Sequence, residues 1–228
     1  MLERVMKRLY RFSKNRSRRN LYAWLGEAIE DGRPYTYGTT VSIGAGGEVD
    51  EALRQCGVCA TTVDVEPARK PDVLASVEDL DVFADSSVDT VYFLEVMEHV
   101  QKPHRAAVEL FRVLRPGGYL IGSTPFLLGI HDAPGDYFRF TGHGLRMLFN
   151  RFSEVSIRER NGYFAALAVM TTRLFVVGSV RDRRRAALWS PVLLMIVYAL
   201  ELIDRILPSQ DGTTGYFFIF RKPGSSEE

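Results

Sequence analysis

From residue 39 onwards the apolar positions change period several times, and each change predicts an element. Thr39-Thr40-Val41-Ser42-Ile43 is a short β-branched run that predicts a strand, and Glu48 to Gln55 carries helical spacing. Ala60 to Val65 predicts a second strand and Val88 to Leu94 a third. A helix over Arg105 to Leu114, the breaker Pro116-Gly117-Gly118 and a strand from Tyr119 to Ser123 follow. Strands alternating with helices predict an α/β fold, a doubly wound and mostly parallel sheet covered on both faces.

The flanks read differently. Leu2, Val5, Met6, Leu9 and Phe12 lie at helical spacing with Arg4, Lys7, Arg8 and Arg11 around them, which predicts a short basic amphipathic helix. A separate helix over Asn20 to Glu30 is expected to end before Asp31-Gly32-Arg33-Pro34. Beyond Thr141 come a helix over Gly142 to Phe149 and a strand over Glu154 to Glu159. Residues 161–207 are largely apolar and helical in pattern, interrupted by Arg181, Arg183, Arg184 and Arg185. Gly215 to Phe220 closes the pattern as a strand, ahead of a polar tail expected to be disordered. The expected domains are a basic helical extension (1–33), a core (34–160), an apolar helical cap or insertion (161–213) and a final core strand with its tail (214–228).

Composition narrows the classes. An apolar fraction of 46% and a charged fraction of 25% in 228 residues exclude wholesale disorder and a collagen-like fibre. Two cysteines exclude a disulfide framework and fit a reducing compartment, so a cytoplasmic location is expected. A net charge of +1 gives no nucleic-acid signature, and no nucleic-acid partner is expected. The charge is uneven, because residues 1–20 carry eight Lys/Arg against one Glu, leaving a net −6 beyond them. That basic face predicts peripheral contact with the inner face of a membrane, with a terminal helix lying over the domain as the plainer reading. The longest charge-free apolar stretch near the C-terminus, Ala186 to Leu200, holds fifteen residues including Ser190 and Pro191. A spanning helix needs about 20.

The candidate chemistry begins at Val41-Ser42-Ile43-Gly44-Ala45-Gly46-Gly47-Glu48, a strand entering a glycine-rich turn and then a helix. Gly44 and Gly46 let backbone pass close to a ligand and leave helix N–H groups facing it. Val49 stands where a dinucleotide fingerprint has its third glycine, which counts against that motif. Asp64 ends the next strand twenty residues after Gly44, where a carboxylate can accept both hydroxyls of a ribose. A structural turn and a solvated aspartate are the plainer readings of these two features. Cys56-Gly57-Val58-Cys59 sits at a helix-to-strand junction with no second pair, so a zinc or redox role is not expected. Glu95, Glu98, His99 and His104 have the residue types of metal ligands, but no metal is expected there.

A longer order of motifs carries a resemblance. Pro71-Asp72-Val73-Leu74 and Glu78-Asp79-Leu80 precede Leu94-Glu95-Val96-Met97-Glu98-His99-Val100, then Glu109-Leu110-Phe111-Arg112-Val113-Leu114-Arg115-Pro116-Gly117-Gly118 and Ser123-Thr124-Pro125. Together with the glycine turn and Asp64, this order resembles the class I S-adenosylmethionine-dependent methyltransferases, in particular the type-11 methyltransferase-domain family, over residues 38–150. His131-Asp132-Ala133-Pro134-Gly135-Asp136-Tyr137-Phe138-Arg139-Phe140-Thr141 is similar to a subgroup of that family.

The resemblance implies a Rossmann-like, seven-stranded sheet with its last strand antiparallel and S-adenosylmethionine as cofactor. It implies that Gly44, Ala45 and Gly46 face the methionine part, Asp64 with Val65 holds the ribose, Ser76 and Val77 bracket the adenine, and backbone near Glu95 lines the methionine side. The family has an acid where Ser42 stands, a third glycine where Glu48 stands and an aspartate near Ser76. Methyl transfer to a hydroxyl calls for a base. His131 is the first candidate by location and His99 the second, with Asp136, Tyr137 and Arg139 expected on the acceptor side. The implied acceptor is a small molecule, a glycan or a lipid-linked molecule. A methyltransferase-like binding module without turnover and a nicotinamide-dependent oxidoreductase are the competing readings.

Overall fold

A computed structural model of the chain describes residues 2–30, 38–176, 189–209 and 212–224. The Asp31–Pro34 turn, the Arg181–Arg185 cluster and the last four residues of the tail lie outside the described residues. Two compact units divide the chain: a helical unit of residues 1–21, 126–130 and 159–215, and a sheet unit of 22–125, 131–158 and 216–228.

The sheet has seven strands: β1 (Thr40–Ile43), β2 (Thr61–Asp64), β3 (Val73–Leu74), β4 (Val88–Leu94), β5 (Leu114–Pro125), β6 (Ser153–Glu159) and β7 (Gly215–Arg221). Their order is β3-β2-β1-β4-β5-β7-β6. Parallel registers join β1 to β2 (Val41 beside Thr61), β1 to β4 (Val41 beside Val91), β2 to β3 and β4 to β5. Gly117 N donates to Lys222 O and Phe126 N to Thr214 O, at 2.9 and 2.8 Å. The start of β5 therefore lies by the end of β7 and its end by β7's start, so β7 is antiparallel. The near-continuous apolar run of β4 reflects its central place, since a strand covered on both faces has no solvent side to make polar.

Helices α2 (Gly47–Gln55), α3 (Pro103–Val113) and α4 (Gly142–Leu148) supply the crossovers, and a one-turn 3-10 helix, Met97–His99, follows β4. Arg112 of α3 donates to the carbonyls of Leu80 and Phe83, and Glu109 accepts from Leu80 N, which ties the 80–83 loop to the helix. Against the antiparallel strand β7, Phe149 packs on Phe218 and Phe220 with ring centroids 5.6 and 5.2 Å apart. Gly122 is required there, because a Cβ would meet the Phe218 ring at 2.1 Å.

Two expectations change. The two separate N-terminal helices are one, α1 (Leu2–Glu30). Ser13 and Ser17 are buried and continue the stripe of Leu21, Leu25 and Ala28, so two small polar residues keep a face that reads as a break in hydrophobicity. The fifth strand begins at Leu114 instead of Tyr119, passing through Pro116-Gly117-Gly118 with a register shift against β4. Gly118 makes that passage possible, since a Cβ would lie 2.9 Å from the carbonyl oxygens of Asp89 and Arg115. Val73–Leu74 is a strand of two residues, too short to show a period.

In the helical unit, α5 (Tyr163–Val176) and α6 (Ser190–Ile206) form a small core of Ala168, Leu193 and Val197, with Phe12 and Leu200 against it. Asp204 accepts from Ala165 N at 3.1 Å, and Asn161 Oδ1 accepts from Thr214 N at 2.8 Å. Outside that seam Leu167, Met170 and Leu174 of α5 and Val192, Met195, Ile196, Leu202 and Ile206 of α6 are exposed. No described helix is long and apolar enough to cross a membrane.

Candidate functional site

The strand order reverses between β1 and β4, which places a crevice at the carboxyl ends of these two neighbours. β1 ends in the glycine turn. Gly44, Gly46 and Gly47 have φ of 96°, 74° and 83°, a region that L side chains rarely enter. Gly44 also faces β4's exit, where a Cβ would stand 2.5 Å from Val96 Cγ2. Nothing lies within 4 Å of the Cβ positions of Gly46 and Gly47, so the floor of the turn is open. Gly46 N donates to Asp50 Oδ2 at 3.1 Å, and Arg54 holds that carboxylate from one turn further along α2.

Asp64 reaches back to this turn from the end of β2. Its Oδ2 accepts from Ala45 N and its Oδ1 from Glu66 N, both at 2.9 Å. Two amides occupy about half the acceptor positions of a carboxylate, leaving capacity for two hydroxyls. Arg69 stands beside it, with Nε 3.8 Å from Asp64 Oδ2 and Nη1 donating to Ala45 O. A cleft of about 240 Å³ opens next to the turn, lined by Ala45, Gly46, Asp50, Arg54, Arg69 and Lys70 among others. An open glycine floor with a carboxylate beside it suits the ribose and methionine parts of an adenosyl cofactor.

At the end of β4, Glu95 holds φ 58° and accepts from Ser123 Oγ at 2.9 Å, which ties it to β5. Glu98 follows, 1% exposed, and its carbonyl accepts from Tyr137 N and Phe138 N. The loop after β5 thereby folds back over the 3-10 turn and brings His131 to Glu98, with Nε2 3.6 Å from Glu98 Oε1. His99 Nε2 lies 3.8 Å from the same oxygen, and the two imidazoles meet edge to face at 5.2 Å. Asp136 accepts from His131 N at 2.8 Å and from both Nη atoms of Arg139. The Glu98 hydrogen bond pushes the His131 imidazole up from its ordinary value against the opposing effect of burial, with the Glu98 and Asp136 charges adding to it. Burial pushes the Asp136 carboxyl up, but Arg139, the His131 amide and the two nearby cations outweigh it and hold it at about 2.

The expected residues thus fall into two groups at one crevice: Gly44, Ala45, Gly46, Asp64 and Glu95 around the turn, and His99, His131, Asp136, Tyr137 and Arg139 around Glu98. Val65 points outward and is exposed. Ser76 Oγ accepts from Glu78 N at 3.1 Å, and Val77 is buried in the same short turn. Sequence reasoning undervalued Glu98, the hub of the second group. The structure brings His131 to it, while His104 is exposed and apart from the cluster. Arg69 and Asp50 were also missed, since each acts through tertiary contacts that no spacing shows. Cys56 and Cys59 are exposed free thiols.

Residues 41–122 match the family model described as a methyltransferase domain. A putative sarcosine dimethylglycine methyltransferase from Galdieria sulphuraria is similar across 90% of this chain and 86% of its own, at 15% identity and a TM-score of 0.59. A SAM-dependent methyltransferase from Archaeoglobus fulgidus is similar across 93% and 100%, at 18% identity and 0.54. The [4+2]-cyclase SpnF shares the fold as well, across 88% and 80% at 14% identity and 0.57. No curated protein matches the sequence. Residues 41–122 thus match a methyltransferase domain, and the fold around them is the one these solved methyltransferases share.

Proposed function

We propose that this chain is an S-adenosylmethionine-dependent methyltransferase, that it acts on a small-molecule, glycan or lipid-linked acceptor with a partly apolar body, and that it works on the cytoplasmic side against a membrane surface. The observation that carries the acceptor class is the exposed apolar side chains of α5 and α6. Exposed apolar faces of this extent mark contact with lipid, ligand or another protein. The net +7 of residues 1–20 supports attraction to anionic headgroups, worth about 1 kcal/mol per basic residue near the surface.

In this reading Gly44, Ala45 and Gly46 bear the methionine part of the cofactor. Asp64, with Val65 beyond it, takes the ribose hydroxyls, Ser76 and Val77 flank the adenine, and the backbone at Glu95 closes the methionine side. When bound, the cofactor supplies an electrophilic methyl group. The residues of this chain have to hold an acceptor atom in line with that methyl and keep water away. His99, His131, Asp136, Tyr137 and Arg139 form the acceptor side. The Asp136–Arg139 pair fixes the loop, and the half-exposed Tyr137, whose hydroxyl accepts from Gln101 Nε2, offers a ring for the acceptor body.

The test is to incubate the full chain with S-adenosylmethionine and fractions of lipid, glycan and small-molecule extract, and to seek products heavier by one CH2 group. A product in the lipid or lipid-linked glycan fraction is the expected result. A product only among fully polar small molecules, with no sedimentation of the protein on anionic vesicles, would contradict the membrane part of the proposal.

A further inference from the structure

We propose that Glu98, His99 and His131 form a three-ligand site for a divalent d-block cation, with zinc as the ion of best fit. The three groups present one ligand atom each, and these atoms lie within 4.8 Å of one another. Glu98 Oε1 is 3.8 Å from His99 Nε2 and 3.6 Å from His131 Nε2. Tetrahedral bonds of about 2.0–2.2 Å set ligand atoms about 3.4 Å apart, so each Glu98–imidazole distance needs to close by only a few tenths of an ångström. The edge-to-face packing of the rings, with an interplanar angle of 80°, lets both Nε2 atoms approach one point without stacking.

The outer contacts orient the two imidazoles. His99 Nδ1 lies 2.6 Å from Gly135 O. A carbonyl only accepts, so Nδ1 carries a proton and Nε2 is the nitrogen turned toward Glu98. His131 Nδ1 faces Asp136 Oδ2 at 3.3 Å, and Arg139 and the His131 amide fix that carboxylate. The carbonyl behind His99 is the support that metal-bound histidines use, and the Asp136 carboxylate stands within reach of His131 without a hydrogen bond to Nδ1.

Glu98 supplies the independent observation. Its carboxyl is 1% exposed, and Oε2 is a buried oxygen with no hydrogen-bond partner among the described residues. A buried carboxylate with an unmatched oxygen is costly unless a cation completes it. Two imidazoles and one carboxylate suit zinc, cobalt(II) and related ions over calcium or magnesium. Three protein ligands leave a position open for water or for an oxygen of the acceptor, and only that last possibility rests on the acceptor reading given above.

The experiment needs neither cofactor nor acceptor, so its failure and that of the proposed function are separable. Full-length Cys56→Ser/Cys59→Ser protein, which removes two exposed thiols as a competing site, is stripped with chelator and titrated with Co2+. The expected result is one equivalent bound with visible d–d bands of low-symmetry cobalt, displaced by Zn2+. Glu98→Gln and His99→Ala should each lower the affinity by about 100-fold or more, and Asp136→Asn, acting through His131, by about 10–100-fold. Should Glu98→Gln fail to fold, as judged by circular dichroism, His99→Ala decides the matter. Absence of binding at millimolar Co2+ and Zn2+, or binding unchanged in His99→Ala, overturns the site.

Discussion

The two units treat apolar side chains in opposite ways. In the sheet unit every apolar residue of β4 is buried, and Phe149, Phe218 and Phe220 close against one another. In the helical unit α6 seats Leu193 and Val197 but leaves Met195 and Leu202 at 65% and 58% exposure. A central strand has neighbours on both faces, so its interior admits no change of volume. A helix in a two-helix pair covers one stripe only, and the rest of its circumference answers to whatever the unit meets.

The contrast can be broken most easily at the aromatic cluster. Phe218→Ala should cost about 3–5 kcal/mol in urea unfolding, because a fully buried ring is removed from a packed cluster. A loss under about 1 kcal/mol would mean that the cluster relaxes as freely as the helical surface.

A smaller effect is expected at Glu109. Its carboxyl lies below the ordinary value of 4.5 chiefly because Arg112 donates to it, with the Leu80 amide assisting and burial opposing. A carboxyl lowered in the folded state stabilises it above the unfolded pKa and loses that stabilisation as pH falls through the folded value. Glu109→Gln should therefore cost about 1–3 kcal/mol at neutral pH and flatten the acid limb of stability against pH. An acid limb unchanged in slope would show that the 80–83 loop does not depend on this clamp.

The smallest change in stability belongs to the helical surface. Met195→Ser and Leu202→Ser should each stay within about 0.5 kcal/mol, yet together reduce sedimentation on anionic vesicles. A cost above about 2 kcal/mol would place these side chains in a core and cancel the comparison.

Most of the sheet was legible in the sequence because its elements are short, buried and separated by glycine and proline. β1, α2, β2, β4 and β7 fall within a residue or two of where the pattern sets them. The continuous α1 was not legible, since Ser13 and Ser17 occupy buried positions with the residue type of a break. Gly44, Gly46 and Asp64 were readable because a strand, a turn and a second strand bring them together in only twenty residues. The Glu98–His99–His131 cluster was not, because a separation of over thirty residues closes only when the loop after β5 folds back onto the Glu98 carbonyl.

The central claim is that the glycine turn and Asp64 hold S-adenosylmethionine, and calorimetric titration of the full chain with that cofactor tests it most directly. One saturable site per chain is predicted, weakened by about 1.5–3 kcal/mol in Asp64→Ala, the range for hydrogen bonds to a charged group. Absence of binding at millimolar cofactor, or an Asp64→Ala variant that binds as tightly as the unaltered chain, would contradict the account.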